Sequence, residues 1–324
     1  LYDLDLQTAY QQQILGQRSF LGGLLPYNSP PHLALLLVPL SYLPLSTAFW
    51  VWAVLNVLMT VWVLVYVWRF ADSWPREVRW LLLSVILALP SLFRTVLQGT
   101  SSLVGLLCVL QVYRATKEGK PVSAGAALAL GTLRPQAVFP IGLFALMQRQ
   151  WRMLISSGVF IVCLIGLTSL VLSPRVWLDF LVSVGRTGKL FDQLGVYPEA
   201  MPNLRGVLSL LLRPGKASII NTLGWFGFFL YLLAMVWLWR RRISSDSPLF
   251  ELELAVGLAL GVFFSFHLNP HDALLLVVPV LLILRYQRAR ELPMLPAMIW
   301  LGGLPLFLLV SEFLVPTPFR VIGP

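Results

Sequence analysis

The sequence predicts an all-helical integral membrane protein that crosses the bilayer several times. Of its 324 residues, 58% are hydrophobic and only 12% are charged, and the mean hydropathy is +0.80. A water-soluble domain normally carries about 25% charged residues, so this composition excludes a soluble globular protein. Apolar runs close to the ~20 residues needed to cross a bilayer recur along the chain. We therefore expect one transmembrane domain over residues 1–324.

The apolar runs predict the passes in order. Residues 1–45 are expected to form an outer loop, with a short apolar segment at 33–43 whose length and Pro39 suit an interfacial or re-entrant helix. Ten candidate passes follow, at 46–67, 79–97, 101–114, 122–133, 136–148, 153–173, 219–239, 250–266, 272–286 and 294–314. The two passes that flank Arg134 are short, which predicts two tilted helices or one broken hairpin that lines a cavity.

Positively charged loops set the expected orientation. Fourteen of the 24 lysines and arginines lie in short alternate loops, near 69–79, 114–120, 149–152, 240–242 and 285–290. Such loops stay in the cytoplasm. The opposite side, which we expect to face the periplasm or exterior of a bacterial plasma membrane, then carries residues 1–45, a long outer loop at 174–217 and all three histidines. The net charge of +10 forms no aromatic-interleaved cluster, so we expect no nucleic-acid partner.

Two carboxylates, Asp3 and Asp5, precede the first amphipathic segment on the expected outer side. A carboxylate in this position can act as a general base. It can equally cap the first turn of an interfacial helix. The residue types alone leave both interpretations open.

Short motifs follow one another along the outer segments. They are Asp5-Leu6, Thr8-Ala9-Tyr10, Gly16, Tyr27 with Pro30-Pro31, Pro39-Leu40 with Leu43-Pro44, Trp52 to Asn56, Gln98-Gly99-Thr100, Ala124-Gly125 through Arg134-Pro135-Gln136 with Trp151-Arg152, Met201 to Gly206, and His267 to Asp272. In this order they resemble the pattern of glycosyltransferase family 87, the polyprenyl-phosphate-mannose-dependent mannosyltransferases of GT-C architecture. The resemblance covers residues 3 to about 286.

The chain departs from the family pattern at three points. Thr100 stands where the family usually has Gln, and Arg134 replaces the more common Lys. The family also has a span before its first Asp, so we expect a segment upstream of Leu1. Because Thr100 has no amide side chain, we do not carry over the contact that the family's Gln makes at the Gln98 turn.

The resemblance implies a GT-C-like bundle that moves a sugar from a polyprenyl-phosphate donor to a hydroxyl of a glycan or glycolipid acceptor, with inversion and without a cofactor. Asp5 aligns with the family's acid and is the expected general base, with Asp3 as the second candidate. Arg134, Gln136 and Arg205 are expected to bind the donor phosphate, because a guanidinium stabilises the departing anion. Simple snorkelling of Arg134 to the interface is the alternative.

Five further residues are candidates for substrate binding: His267, His271, Asp272, Tyr27 and Asn203. The spacing of His267 and His271 matches zinc ligands on a helix, but Pro270 between them indicates a turn. We therefore expect these histidines to hydrogen-bond and to hold no metal. Asp272 is expected to be the N-cap of the next helix.

Two other functions compete with the transferase. A lipid or sugar transporter usually has ionisable residues in mid-span and internal repeats, and the sequence shows neither feature. A non-catalytic subunit of a larger membrane assembly is consistent with the Thr100 departure and implies a membrane-complex partner. Membrane lipid surrounds the chain in every case.

Overall fold

The computed structural model describes residues 1–15, 19–20, 27–187, 201–212, 216–265, 267–293 and 321–322. The predicted pass at 294–314 and the Gly16 motif lie outside the described residues. The described chain is helical except for connecting segments and one pair of two-residue strands, Ser19–Phe20 and Val321–Ile322, which run antiparallel.

Fourteen α-helices form the described part of the chain. In order they are α1 Leu4–Leu15, α2 Pro31–Ser41, α3 Leu45–Phe70, α4 Arg76–Leu87, α5 Pro90–Leu97, α6 Ser102–Lys117, α7 Pro121–Leu130, α8 Pro135–Met147, α9 Trp151–Leu172, α10 Arg175–Thr187, α11 Leu204–Leu212, α12 Ala217–Leu238, α13 Pro248–Phe263 and α14 Val277–Ala289. Two 3-10 helices, Gly131–Leu133 and Pro270–Leu276, precede α8 and α14. The segments 1–45 and 174–217, expected as outer loops, therefore contain helices.

Three described helices, α3, α9 and α12, are long and apolar enough to cross a membrane. The pair α4 and α5 makes a fourth span if the two are counted together. The remaining apolar passes among the described residues are shorter helices, and even the 16 residues of α6 extend only ~24 Å at 1.5 Å per residue. The described helices thus supply three or four full-length spans, and they do not show the ten expected passes.

The expected single pass over 79–97 is a bent pair of helices. The axes of α4 and α5 differ by 47°. Leu89, between them, has an extended backbone at φ −66° and ψ 121°. Pro90 causes this break, because a proline disfavours the helical conformation of the residue before it and has no N–H to donate. The bend carries α5 inward, where five of its eight residues, Pro90 among them, are buried.

Small residues let the central helices approach closely. A Cβ at Gly125 of α7 would lie 2.6 Å from the Met153 carbonyl of α9, and a Cβ at Gly257 of α13 would lie 2.1 Å from the Trp239 ring. Trp239 is fully buried and packs edge-on against Phe144. These contacts fix α7 against α9, and α13 against α8 through Trp239, and so position the segments that follow α7 and α13.

The basic loops meet at one end of the bundle, as the charge pattern predicts. The contacts that join them are the Lys117 ammonium on the Ser245 carbonyl, Gln148 Nε2 on the Arg241 carbonyl at 3.1 Å, and the Arg285 guanidinium 5.0 Å from the Phe70 ring centre. We call this the basic end. The opposite end, where Ser102 contacts Asp272, is called the polar end.

Candidate active site

A fully buried carboxylate, Asp272, lies at the centre of the polar end. Its Oδ1 accepts a hydrogen bond from the Ser102 hydroxyl at 2.8 Å and lies 3.5 Å from Nη1 of Arg134. Its Oδ2 accepts from Gln136 Nε2 and from the Asn269 backbone N–H, both at 3.2 Å. Asp272 thereby joins the start of α6, the start of α8 and the 3-10 helix before α14.

Arg134 reaches this carboxylate because the chain breaks at its position. The residue separates the 3-10 helix Gly131–Leu133 from α8 and has a non-helical backbone, with φ −132° and ψ 77°. Pro135 imposes that conformation, since the residue before a proline is disfavoured in a helix. Arg134 Nε also donates to the Ser101 hydroxyl at 2.9 Å. A Cβ at Gly105 would lie 3.2 Å from the Arg134 side chain, so the glycine makes room for it.

These contacts argue against snorkelling as the role of Arg134. A snorkelling arginine extends its guanidinium to water or lipid headgroups. The Arg134 side chain is only 14% exposed, and its guanidinium is held between Asp272 and Ser101. The protein therefore fixes this charge inside the polar end.

The N-cap of the helix that follows His267 differs from the prediction. Asn269 is the N-cap of the helix Pro270–Leu276, and Asp272 is its third residue; the two form a capping box. The prediction that Asp272 is the N-cap was therefore wrong by three positions. Pro270 explains the shift, because its fixed φ and missing N–H suit the first helical position. The expected interruption at Pro270 is present as a 3-10 helix.

The charge states follow from burial and from neighbouring charges. Burial alone would raise the pKa of Asp272, but the Arg134 charge and the Ser102 hydrogen bond outweigh it and lower the pKa to about 2. Burial lowers the pKa values of His267 and His271 to about 4 each. At neutral pH the cluster therefore combines a carboxylate and a guanidinium with two neutral imidazoles.

The two histidines are oriented by amide side chains. His271 Nδ1 lies 3.1 Å from Gln98 Oε1, and His267 Nε2 lies 3.3 Å from Asn269 Nδ2. His271 therefore donates through Nδ1, and its Nε2 has no hydrogen-bond partner in the part of the chain that the structure describes. The Gln98 turn is thus part of the cluster. Thr100, its departure from the family pattern, is 3.4 Å from the Ser102 hydroxyl that holds Asp272.

Two further arginines surround the cluster. Arg205 in α11 is buried and its charge acts on His267, while Arg94 in α5 is buried and its charge acts on His271. Arg94 was absent from the predicted site, although a lone arginine inside the apolar 79–97 run, four residues before Gln98, was a usable signal. Over the described residues, three guanidinium groups and the Asp272 carboxylate give this cluster a net positive charge.

Asn203 and Tyr27 occupy different positions around the cluster. Asn203 is fully buried, and its Oδ1 accepts from the Gly206 N–H at 2.9 Å while its Nδ2 donates to the Ser265 carbonyl at 2.8 Å. These bonds fix the start of α11 and so position Arg205. Burial raises the pKa of the half-buried Tyr27 phenol, and the Arg134 charge opposes that increase, so the phenol lies within electrostatic reach of Arg134.

The structure separates the two predicted carboxylate candidates by their contacts. Asp3 caps α1, since its Oδ1 accepts from the backbone N–H groups of Asp5 and Leu6, each at 3.0 Å. The Asp5 side chain is exposed, and no described residue pairs with it. No direct contact joins Asp5 to the Asp272 cluster within the described residues. The connection is indirect, through Gln7 of α1, which accepts from the Tyr27 N–H at 2.8 Å.

An apolar cleft begins beside Tyr27. Its volume is about 560 Å³, within the range of small-molecule sites. Its walls come from the residue Leu1 ahead of α1, from α2, from the end of α9 and from α10, and the lining also includes Tyr27, Leu37, Val38, Leu172 and Val176. Arg175 and Asp179, 3.7 Å apart, add the charged groups. The cleft therefore joins an apolar lining to Tyr27, whose phenol lies within electrostatic reach of Arg134.

Comparison with known proteins identifies the family. A family model described as glycosyltransferase family 87 matches residues 27–266, a range that includes Tyr27, Arg134 and Arg205. A search of curated proteins and a search of solved structures each found no match. Because the family model covers well over half of the sequence, this multi-pass membrane chain belongs to glycosyltransferase family 87.

Proposed function

We propose that this transferase moves a sugar, mannose, from a polyprenyl-phosphate donor to an acceptor hydroxyl at the polar end of the bundle. Family membership supplies the reaction class, with a sugar donor and an acceptor. The observation that carries the proposal is the largely buried Arg134, which pairs with Asp272 close to the buried Arg94 and Arg205. A fixed positive site stabilises a phosphate as it leaves with a new negative charge.

Arg134 retains capacity for the phosphate. Its Nη1 is 3.5 Å from Asp272, longer than the ~2.8 Å of a strong charge-assisted hydrogen bond, and only its Nε is engaged with Ser101. Arg205, positioned by Asn203, adds a second charge. Gln136 donates to Asp272, so we assign it the role of orienting that carboxylate. Asp272 in turn holds Arg134 in place.

The contacts favour Asp5 as the general base. Asp272 is a poor base, because its pKa is about 2 and both of its oxygens already accept hydrogen bonds. An oxygen of Asp3 is occupied by the cap of α1. Asp5 alone among these three has an uncommitted, exposed carboxylate. In the proposed step the acceptor oxygen bonds to the sugar C1 as the C1–phosphate bond breaks, the proton passes to Asp5, and polyprenyl phosphate departs.

The apolar cleft is suited to part of the prenyl chain. Its walls are aliphatic side chains of α2, α9 and α10, and its end at Tyr27 leads toward Arg134. The neutral histidines, with His271 Nε2 uncommitted, are placed to accept or donate a hydrogen bond to the sugar or phosphate. We further propose that the polar end faces outward, because the opposite end collects the basic loops.

The decisive experiment is a transfer assay with the purified chain in nanodiscs. Labelled polyprenyl-phosphate mannose is supplied with a mixture of lipid and glycan acceptors, and polyprenyl-phosphate glucose serves as the comparison donor. Label in an acceptor product from the mannose donor supports the proposal. Transfer from glucose alone would correct the sugar. Flipping of intact donor across the bilayer without cleavage would favour a transporter. If no label is transferred from either donor and a partner protein copurifies stably, a non-catalytic subunit is favoured.

A further inference from the structure

A second cavity lies at the basic end, far from the candidate active site. Its volume is about 310 Å³, and it opens between α3, α6 and α14. Four cations, Arg69, Arg114, Lys117 and Arg285, line it together with one carboxylate, Glu118. The 16 residues of α6 place this cavity ~20 Å from Ser102 and the Asp272 cluster. The donor phosphate site and this cavity are therefore separate.

The charges of the cavity are only partly neutralised. Lys117 pairs with the buried Glu251 at 2.8 Å, and Arg114 pairs with Glu118 at 2.6 Å. Arg285 lies 3.7 Å from the same Glu251 oxygen and remains 43% exposed. The Arg69 side chain is exposed and makes no ion pair or hydrogen bond with another described residue. Four cations against two carboxylates leave the cavity with a net positive charge, concentrated at Arg69 and Arg285.

An apolar strip leads from this charge along a membrane-spanning helix. Trp62 and Val65 of α3 are 60% and 42% exposed and also line the cavity. They lie seven and four residues before Arg69, so all three share one face of the helix. The Phe70 ring lies under the Arg285 guanidinium, 5.0 Å from its carbon. The surface thus combines two cations with an adjoining hydrophobic wall inside the membrane.

We propose that this cavity binds one anionic glycerophospholipid. Its phosphodiester oxygens accept hydrogen bonds from Arg69 and Arg285, and an acyl chain lies along Trp62 and Val65. A free phosphate would use the cations but leave the apolar strip uncovered, whereas a phospholipid covers both. The site is independent of the proposed transfer reaction, because none of its residues belongs to the polar end.

Binding is tested with the full chain purified in detergent, by native mass spectrometry and by thermal unfolding. The probes are phosphatidylglycerol, phosphatidylcholine and inorganic phosphate. We expect phosphatidylglycerol to remain bound at one copy and to raise the Tm saturably, with phosphatidylcholine and phosphate giving much smaller shifts. Arg69→Gln should lower the affinity for phosphatidylglycerol about fivefold, because each basic side chain near an anionic lipid contributes about a factor of five. Arg69→Gln/Arg285→Gln removes two such side chains and should lower the affinity about 25-fold.

A charge-matched control distinguishes a specific lipid site from the general electrostatic attraction of the basic end. Arg241→Gln/Arg242→Gln removes two charges from the same end but leaves the cavity intact, so its phosphatidylglycerol affinity should equal that of the wild type. Equal losses in the two double variants would overturn the site. So would a phosphate shift as large as that of phosphatidylglycerol, which would indicate a free-anion site. If Arg69→Gln/Arg285→Gln misfolds, the test rests on the single substitution Arg69→Gln at an exposed position. An unchanged affinity for phosphatidylglycerol in Arg69→Gln refutes the proposal.

Discussion

The Ser102 hydroxyl donates to Asp272 Oδ1 at 2.8 Å across a separation of 170 residues in the sequence. The bond ties the first turn of α6 to the helix before α14, at the point where Arg134 also reaches Asp272. The polar end therefore depends on a largely buried ion pair whose carboxylate is also hydrogen-bonded by Ser102 of α6 and Gln136 of α8. Removing the carboxylate leaves a buried guanidinium without its partner.

We expect Asp272→Asn to lower the free energy of unfolding by about 3–5 kcal/mol, the usual cost of breaking a buried ion pair from one side. Ser102→Ala should cost about 2 kcal/mol, because it removes one hydrogen bond to a charged group. Denaturation in detergent measures both. Asp72→Asn is the matched control: Asp72 pairs with Arg79 at 3.4 Å but is 83% exposed, so less than about 1 kcal/mol is expected. Equal effects at 272 and 72 would contradict the buried pair.

Arg134→Ala should reduce sugar transfer by a factor of about 10² to 10³, the typical effect of losing a charged donor that stabilises a leaving group. Arg134→Lys should retain more activity, since it keeps the charge but loses the forked geometry. Steady-state rates at varied donor concentration measure the change. Arg152→Ala, at the basic end, is the control and should leave transfer unchanged. Wild-type donor kinetics in Arg134→Ala would remove the phosphate assignment.

Asp5→Asn should slow transfer by about 10² to 10⁴, because the amide preserves size but cannot accept the acceptor's proton. Expression and Tm should stay close to wild type, since Asp5 is exposed and its carboxylate supports no described contact. Asp3→Asn tests the cap and should change transfer little, because an Asn side chain also caps helices. A larger loss at Asp3 than at Asp5 would reverse the assignment. If neither substitution slows an active enzyme, the base lies elsewhere.

The buried histidines predict a loss of stability as the pH falls. Their folded pKa values of about 4 lie below the ordinary value of 6.5, so the unfolded chain takes up protons first as the pH drops from about 6.5 toward 4. The Tm should therefore decrease across that window. Asp272 also lowers the Tm as the pH falls, but only below about pH 4, because folding lowers its pKa from 3.8 to about 2.

His271→Asn keeps a donor for Gln98 but does not titrate, so the slope of Tm against pH between 6.5 and 5 should become shallower. The exposed Glu291→Gln provides a control for general charge effects and should leave that slope unchanged. A slope that is identical in wild type and His271→Asn would contradict the neutral, buried state of this imidazole.

Cysteine accessibility checks the orientation. In a Cys163→Ala background, Arg241→Cys should react with an impermeant reagent only from the cytoplasmic side, and Asp179→Cys, half-exposed on α10, only from the outside. Cys108 is buried and needs no replacement. Labelling of both sites from the same side would refute the division into a basic and a polar end. The reverse pattern would place the proposed reaction in the cytoplasm.

The sequence alone determined the membrane class, the grouping of the basic loops and the family. Each depends on local composition or on the order of short motifs, and the contact of Lys117 with the Ser245 carbonyl shows the loops together at one end. The break in the chain at Arg134 was also predictable, because an Arg-Pro pair between two short apolar runs marks a charged interruption. A capping aspartate at the first helix was one of the two interpretations that the sequence left open, and the contacts of Asp3 show which residue makes the cap.

Only the tertiary structure decided how the site is assembled. Hydropathy does not reveal that Pro90 bends the 79–97 run by 47° and turns Arg94 inward, because both a straight and a broken helix are equally apolar. Nor does it reveal that Asp272 is saturated by Ser102 and Gln136, 170 and 136 residues away. These pairings cost chain entropy that only the packing of the whole bundle offsets, so they are properties of the fold and not of any local segment.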